Sequence, residues 1–341
     1  MKNLYRLTID TNPELCNLHC IMCEEHSYLS NFKENLFRET GIKQRLMPKE
    51  WLEGIFVQAK ELNVQEIIPS TMGEPLIYEH FETILELCKK YSIQLNLTTN
   101  GTCPRKSAEE WANLIIPITK DIKFSLNGAT KQTAESIMQG LNFDKQIENI
   151  KTFSEIRNSI FEKTGHYCTL SFQLTFLQTN MHQISEIIKL AAELDIDRIK
   201  GHHVWTHYKE LEELSFKKSQ ESINQWNNII EIASAAIEKY KKKNGKKIVL
   251  ENFFRLELNE NKEIPESYEC PFLNKELWIS AIGEISPCCA PDNLRKSLGY
   301  FGNIQHNSLL DVLNSQNYLD LVKNYKQKQL CRTCNMRKPN E

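Results

Sequence analysis

Residues 16–23 read Cys-Asn-Leu-His-Cys-Ile-Met-Cys, which sets Cys16, Cys20 and Cys23 in a C-x3-C-x2-C run. The run follows a strand-like segment at residues 4–10, so one loop would carry all three thiols. Iron–sulfur clusters are held by cysteine thiolates, and short spacings allow one loop to wrap a cube. A [4Fe–4S] cube has four irons, so three cysteines leave one iron open to a small molecule. A zinc site completed by His19 or His26 is the alternative, although structural zinc usually takes two separated pairs of ligands.

Composition places the chain among soluble globular proteins. The net charge of −2 gives no electrostatic reason to expect a nucleic acid or an anionic membrane as partner. Residues 1–10 lack the apolar core of a signal peptide, and no window has the roughly 18 apolar residues of a spanning helix. We therefore expect a cytoplasmic protein. Its eleven cysteines are then metal ligands or catalytic groups more often than disulfides.

Strand-like and helix-like segments alternate between the cysteine groups, which predicts a mostly parallel sheet with crossover helices. The predicted strands are residues 4–10, 66–69, 93–98, 121–125, 169–176 and 198–202. The predicted helices are residues 48–62, 81–91, 108–114, 147–161, 184–194 and 214–243, the last bridging to the C-terminal region. Residues 32–45 are polar without a clear period, and we expect an insertion over the cysteine loop that orders only on ligand binding. Ligands bind at the carboxyl ends of parallel strands, where the cysteine loop falls.

Two further motifs follow predicted strands. Residues 71–75 read Thr-Met-Gly-Glu-Pro, and residues 125–130 read Ser-Leu-Asn-Gly-Ala-Thr. With the cysteine run, these motifs resemble the radical S-adenosylmethionine (SAM) superfamily, whose hallmark is C-x3-C-x2-C after the first strand. The resemblance implies that SAM chelates the open iron of a [4Fe–4S] cluster held by the three cysteines.

The same resemblance assigns the contacts to SAM. Gly73, Glu74 and Pro75 correspond to a Gly-Gly-Glu-Pro motif that binds the methionine amino group, with Met72 in place of the first glycine. Ser125 and Asn127 correspond to a ribose-contacting segment in which aspartate is usual instead of Asn127, so a hydroxyl contact there would come from a neutral amide. Gln173 is a polar candidate for the barrel lumen on the strand at residues 169–176.

The C-terminal cysteines resemble the twitch layout, a short form of the SPASM cap. The pattern runs from Cys270-Pro-Phe through Trp278 and Cys288 to Cys331-x2-Cys334. It implies one auxiliary [4Fe–4S] cluster ligated by Cys270, Cys288, Cys331 and Cys334. Four thiolates leave no open iron, which suits an electron conduit. A four-cysteine zinc ribbon is the alternative.

The resemblance as a whole implies an α/β fold, a partial (β/α)6 radical SAM barrel with a small C-terminal twitch-type iron–sulfur cap. The expected domains are a barrel at residues 1–210, a helical linker at 211–262 and the auxiliary cluster domain at 263–341.

The implied chemistry is reductive cleavage of SAM to a 5′-deoxyadenosyl radical, which abstracts hydrogen from a substrate. An external flavodoxin-like or ferredoxin-like protein would donate the electron. The cap layout is similar to that of 2-deoxy-scyllo-inosamine dehydrogenase, which favours oxidation of a small-molecule alcohol such as a sugar or aminocyclitol. Only 15 residues precede Cys16, so we expect no leader-recognition domain, which disfavours a peptide substrate without excluding one.

Three alternatives stay open. One is an epimerase, in which the Cys289 thiol returns a hydrogen atom. Another is a peptide-modifying or protein-modifying enzyme of the SPASM type. The third is a zinc-stabilised binding protein without enzymatic activity. For a catalytic base, His202 and His203 are the candidates, because they lie with Trp205 and His207 at the end of the predicted sixth strand.

Overall fold

The computed structural model describes residues 4–70, 72–258 and 263–339. Its strands are β1 (Arg6–Ile9), β2 (His19–Cys20), β3 (Glu66–Ile68), β4 (Gln94–Thr99), β5 (Thr119–Ser125), β6 (Met138–Gln139), β7 (Thr169–Phe176), β8 (Arg198–His203), β9 (Val249–Glu251), β10 (Glu276–Ile279) and β11 (Ile285–Ser286).

The helices alternate with these strands through the first two thirds of the chain. They are α1 (Phe32–Thr40), α2 (Lys49–Glu61), α3 (Phe81–Tyr91), α4 (Ala108–Ile115), α5 (Lys131–Ile137), α6 (Phe143–Thr164), α7 (Ile184–Glu193), α8 (Gln220–Lys239), α9 (Asp292–Arg295), α10 (Leu309–Asn314), α11 (Gln316–Asn324) and α12 (Gln329–Arg332). Mostly parallel strands with crossover helices confirm the predicted α/β class.

The chain forms two compact units. The first comprises residues 1–16, 32–96 and 258–341, and the second comprises residues 17–31 and 97–257. In the first unit, β1 pairs in parallel with both β3 and β10, and β11 returns antiparallel to β10. In the second unit, β5, β7, β8 and β9 pair in parallel in that order.

A buried carboxylate joins the strands of the first unit near their amino ends. Glu66 accepts hydrogen bonds from Arg6 Nη2 at 2.7 Å, Tyr5 Oη at 2.7 Å and Asn96 Nδ2 at 2.8 Å. Burial alone would raise the pKa of Glu66, but the charge of Arg6 and these hydrogen bonds lower it to about 2. The carboxylate is therefore ionised at neutral pH and ties β1, β3 and β4 together.

An aromatic cluster fills part of the core of the second unit. Trp226 of α8 lies 4.5 Å from the Phe176 ring and 4.6 Å from the His203 ring, measured between ring centroids. Its indole Nε1 donates to the Phe254 carbonyl at 2.9 Å. We predicted α8 as a bridge to the C-terminal region, and the structure makes it part of the core of this unit.

Residues 32–45 contain a helix that the lack of a clear period in the sequence did not predict. Residues 32–40 form α1, and this helix buries Phe32 and Leu36, which lie one turn apart on one face. Arg45, which is 5% exposed, is held by charged partners. The helix and the ion pairs of Arg45 hold the segment against the rest of the first unit.

None of the helices in the described ranges is long and apolar enough to cross a membrane.

Candidate functional site

The cysteine loop is fixed by backbone pairing in the second unit. Cys20 pairs with Met138 in the short antiparallel β2–β6 ladder, and the Ile21 amide donates to the Ile137 carbonyl at 2.9 Å. The Cys23 amide then donates back to the Cys20 carbonyl at 3.0 Å. Cys20 and Cys23 are both partly exposed, so the loop presents its thiols instead of burying them.

Two sets of side-chain hydrogen bonds hold this loop. In the first, Asn17 bonds with Thr102 and Asn100 at 2.9 Å each, and Gln146 Nε2 of α6 donates to the Asn100 carbonyl at 2.7 Å. In the second, the Tyr208 hydroxyl donates to the Ile21 carbonyl and lies 3.4 Å from the Cys23 carbonyl. The sequence analysis missed these supports, although Tyr208 directly follows the histidine group.

The Gly-Glu-Pro segment is packed against the residues that lead into Cys16, all within the first unit. Gly73 has a φ of +74°, and a Cβ there would lie 2.3 Å from the Asn12 carbonyl oxygen and 2.7 Å from that of Leu15. The Glu74 amide donates to the Leu15 carbonyl at 2.8 Å, and Asn12 Nδ2 donates to the Glu74 carbonyl at 2.9 Å. Only glycine fits this position.

The rest of this motif forms a tight turn. The Glu74 carboxylate accepts from the Leu76 amide at 3.2 Å and caps a 3-10 turn that begins at Pro75. Thr71, the first residue of the predicted motif, lies outside the described residues.

The predicted ribose-contacting residues lie together at the carboxyl ends of β5 and β7. Ser125 and Gln173 are direct neighbours in the parallel register. Asn127 is buried, and its Oδ1 accepts from the Thr175 amide at 2.9 Å. Because the side-chain oxygen of Asn127 accepts from the Thr175 amide, the Asn127 side-chain NH2 group is the part that can donate to a ligand.

The two histidines at the end of β8, His202 and His203, occupy different environments. His202 Nδ1 lies 3.4 Å from Gln173 Nε2, and burial together with the charge of Lys200 lowers the pKa of His202 to about 4. His203, on the opposite face of the strand, packs among the aromatic rings around Trp226, and burial lowers its pKa strongly. The imidazole at the strand mouth is therefore His202, neutral at pH 7.

His207 adds a second neutral imidazole near His202. Burial and then the proximity of His202 lower the pKa of His207 to about 4. Within the described ranges, its buried Nδ1 has no hydrogen-bond partner. An unsatisfied buried ring nitrogen is costly and is available to a ligand or water.

The four cap cysteines lie near enough to one another in the first unit for their charges to interact. Burial raises the pKa of Cys288 strongly, and Cys334, Cys331 and Cys270 add to the effect through their own charges. Arg337 joins two of the cysteine-bearing segments, donating to the Tyr268 carbonyl at 2.6 Å and the Cys331 carbonyl at 2.9 Å. Neighbouring thiols with raised pKa values stay protonated when free, and an iron–sulfur cluster would bind them as thiolates.

Cys289 lies in the same neighbourhood. Burial and the charges of Cys288, Cys334 and Cys270 raise the pKa of the Cys289 thiol well above its usual range, so it is protonated. No group of three or more His, Cys, Asp or Glu side chains in residues 4–70, 72–258 and 263–339 is arranged to hold a single metal ion.

A cavity of about 260 Å³ opens in the first unit, at the ends of β1 and β10. Asp10, at the end of β1, and Arg295 are among its lining residues. A buried charge network supports it: Arg45 pairs with Glu14 at 2.5 Å and with Asp292 at 2.7 Å, and Asp292 also pairs with Arg295. The cavity offers charges of both signs to a ligand. Sequence spacing gave no signal for this network.

Comparison with known proteins assigns the class. Residues 13–191 match the radical SAM superfamily profile, which covers more than half of the chain, and the chain belongs to this superfamily. Residues 270–335 match SPASM, an iron–sulfur cluster-binding domain. These two domains imply a 4Fe–4S cluster, SAM and auxiliary cluster binding. The predicted family and cofactors are confirmed.

Individual relatives are more distant. A probable GTP 3′,8-cyclase from Pyrococcus abyssi is 32% identical over 95 residues, which are 28% of this chain and 27% of that protein. SuiB of Streptococcus suis bound to S-adenosylmethionine has a TM-score of 0.68 and 21% identity over 98% of this chain and 72% of its own. The anSMEcpe structure with bound AdoMet has a TM-score of 0.66 and 17% identity over 98% of this chain and 88% of its own. These structures share the fold.

Proposed function

We propose that this radical SAM enzyme performs a two-electron oxidation of a polar substrate, in which a C–H bond next to a hydroxyl or thiol group is converted to a double bond to oxygen or sulfur. The observation that carries this proposal is the proximity of four cap thiols whose charges interact, those of Cys270, Cys288, Cys331 and Cys334. Such a set would hold a cluster without an open iron, which suits electron transfer.

The cysteine loop and its neighbours hold the initiating group. Cys16, Cys20 and Cys23 would ligate the SAM-binding cluster, with Gly73, Glu74 and Pro75 at the methionine end and Ser125, Asn127 and Gln173 at the ribose. When bound, the cluster and SAM supply a radical that removes one hydrogen atom from the substrate. The protein residues orient the reacting groups and exclude competing reactions.

His202 is the candidate base that accepts the proton of the substrate hydroxyl. Removal of a hydrogen atom from carbon makes the neighbouring hydroxyl much more acidic, so a weak base is sufficient. A neutral imidazole with a pKa of about 4 can accept that proton and pass it on to solvent. Gln173, at 3.4 Å from His202 Nδ1, keeps the ring oriented.

Two substrate classes fit. A small-molecule alcohol such as a sugar or aminocyclitol suits the cavity of the first unit, whose lining carries charges of both signs. A peptide is the second candidate, favoured by the solved structures of SuiB bound to precursor peptide SuiA and anSMEcpe bound to Cp18Cys peptide. An epimerase that uses Cys289 is less favoured, because this thiol is buried among the cap cysteines.

The first test is a metal count after anaerobic reconstitution. We expect about eight irons in the wild type and about four in a Cys16/Cys20/Cys23→Ala variant. Zinc in place of iron in the cap would refute the electron-accepting role.

The second test defines the reaction. The loaded enzyme is incubated in deuterated water with SAM and a panel of aminocyclitols, sugars and serine- or cysteine-containing peptides. Oxidation removes two hydrogens from the product and leaves no solvent deuterium on carbon. Deuterium at carbon without a mass loss would instead establish epimerisation.

A further inference from the structure

Gln146, in the first turns of α6, bridges the carboxyl ends of two strands in the second unit. Its Nε2 donates to the Asn100 carbonyl, just after β4, at 2.7 Å and to the Ser125 carbonyl, at the end of β5, at 2.9 Å. The Gln146 side chain is buried, so water does not compete for these two bonds. One amide group therefore fixes the position of Asn100 relative to Ser125.

The same bridge extends to the cysteine loop through side chains. Asn100 Nδ2 donates to Asn17 Oδ1 at 2.9 Å, and Asn17 Nδ2 donates to Thr102 Oγ1 at 2.9 Å. The Thr102 hydroxyl donates in turn to Asn100 Oδ1 at 2.7 Å, which closes a ring of three side chains. Asn17 begins the part of the cysteine loop that belongs to the second unit. A continuous chain of hydrogen bonds therefore joins Ser125 to the cysteine loop.

A contribution to stability alone explains Gln146 less well. The two carbonyl acceptors fix the orientation of its amide group, and its Oε1 is then buried with no hydrogen-bond partner among the described residues. An unsatisfied buried acceptor costs free energy, which offsets much of what the two donated bonds contribute. The main effect of the side chain is therefore on the positions of the groups that it joins.

Both of the joined segments belong to the proposed SAM site. Ser125 is the proposed ribose contact, and Gln173 lies beside it in the parallel register. The cysteine loop would hold the iron that the methionine half of SAM chelates. The two ends of the chain of hydrogen bonds therefore correspond to the two halves of one ligand.

We propose that Gln146, Asn100 and Asn17 are positioning residues that set the spacing between Ser125 and the cysteine loop, so that both halves of SAM bind at once. When two half-sites are held at the spacing of their ligand, binding of one half raises the effective concentration of the other. Loosening of that spacing lowers the affinity for the whole ligand and leaves the affinity for each half nearly unchanged. The inference rests on the ribose contact assigned to Ser125 in the proposed function.

The first experiment compares SAM with its two halves, L-methionine and 5′-deoxyadenosine. Equilibrium dialysis of labelled SAM with the cluster-loaded, oxidised protein gives its affinity without cleavage, and competition gives the affinities of the halves. Gln146→Met keeps the length of the side chain and removes its donor, and we expect it to bind SAM at least about tenfold more weakly. The affinity for each half should change by less than about twofold.

Asn158→Ala is the matched control on the same helix. Asn158 donates to Asp195 Oδ2 at 3.1 Å and accepts from Arg157 Nε at 2.7 Å, so this variant also loses two side-chain hydrogen bonds. Asp195 precedes β8 and lies at its amino end. All three affinities should stay within about twofold of the wild type, because the lost bonds share no partner with Gln146.

Three outcomes of this experiment would overturn the proposal. The first is an unchanged SAM affinity in Gln146→Met. The second is a loss of affinity for either half as large as the loss for SAM, which would indicate damage within one half-site. The third is an equal loss of SAM affinity in Asn158→Ala.

The second experiment breaks the chain of hydrogen bonds at its other end. Asn17→Ala removes both bonds of an exposed side chain, so the core is left intact. It should weaken SAM binding as Gln146→Met does. The double variant should lose little more affinity than either single variant, because both changes act through one chain of bonds. Additive losses would show that the two residues act independently and would refute the proposal.

Ser125→Ala tests the ribose contact by itself. We expect weaker binding of 5′-deoxyadenosine to this variant, and an unchanged affinity would refute the ribose contact together with the positioning role. None of these experiments contains substrate, so their outcomes are separate from that of the proposed oxidation.

Discussion

Substitution of Gly73 by alanine tests whether the Gly-Glu-Pro segment is held as tightly as the structure indicates. An alanine at φ +74° costs about 1–2 kcal/mol, because the left-handed conformation crowds its Cβ. The new methyl group would also meet two backbone oxygens, at 2.3 Å and 2.7 Å, which cannot rotate away. Relief of that clash requires loss of the Glu74–Leu15 backbone bond, which adds about 1–3 kcal/mol for groups left buried and unsatisfied. We expect a total loss of about 3 kcal/mol or more.

Gly41→Ala is the matched control within the same unit. Gly41 has a φ of +73°, and a methyl group at this position would have nothing within 4 Å, so only the conformational cost applies there. The free energy of unfolding of the apo chain is measured by urea titration with circular dichroism. Gly73→Ala should be destabilised by about 2 kcal/mol more than Gly41→Ala. Equal destabilisation of the two variants would refute the close packing of Gly73 against residues 12–15.

Three other substitutions test separate parts of the structure. Tyr208→Phe removes the hydrogen bond to the Ile21 carbonyl, and we expect a chelator to take iron from the cysteine loop about three- to tenfold faster, whereas the exposed Tyr28→Phe should match the wild type. Glu66→Gln removes the carboxylate whose pKa in the folded protein is about 2. The stabilisation it gives, roughly 3 kcal/mol, is fully present above the unfolded pKa of about 4.3 and is lost as the pH falls towards 2. The free energy of unfolding should therefore depend less on pH between pH 5 and pH 2 in the variant than in the wild type. Cys289→Ser should leave about four irons in the cap, and loss of that iron would instead identify Cys289 as a ligand.

The periodicity of apolar residues in the sequence was sufficient to predict the long helices and strands of the fold. The helix at Phe81–Tyr91 and the strand at Thr169–Phe176 have the predicted bounds, since their buried positions repeat at helical or strand spacing. The β2–β6 ladder was missed because it has two residues on each side and depends on a partner more than a hundred residues away. Helix α1 was missed because only two of its residues are buried.

At the site, the spacing of the cysteines identified the family, because ligation of an iron–sulfur cluster depends on cysteines at particular intervals along the chain. The choice between His202 and His203 was open to sequence reasoning but was not made. Adjacent residues of a strand point to opposite faces, so one of the two had to lie away from the lumen. The role of Tyr208 could not be predicted, because its hydroxyl reaches a loop 187 residues earlier in the chain.

The contacts around Gly73 and Glu74 have a practical consequence for handling this protein in air. The hydrogen bonds described above, between Glu74 and residues 12–15, are made by backbone amides and carbonyls and the Asn12 side chain, none of which contains sulfur. Oxidative loss of an iron–sulfur cluster would therefore leave the conformation of residues 73–75 unchanged. We expect oxidatively damaged enzyme to be repaired by reduction of its thiols and resupply of iron and sulfide, without passage through an unfolded state.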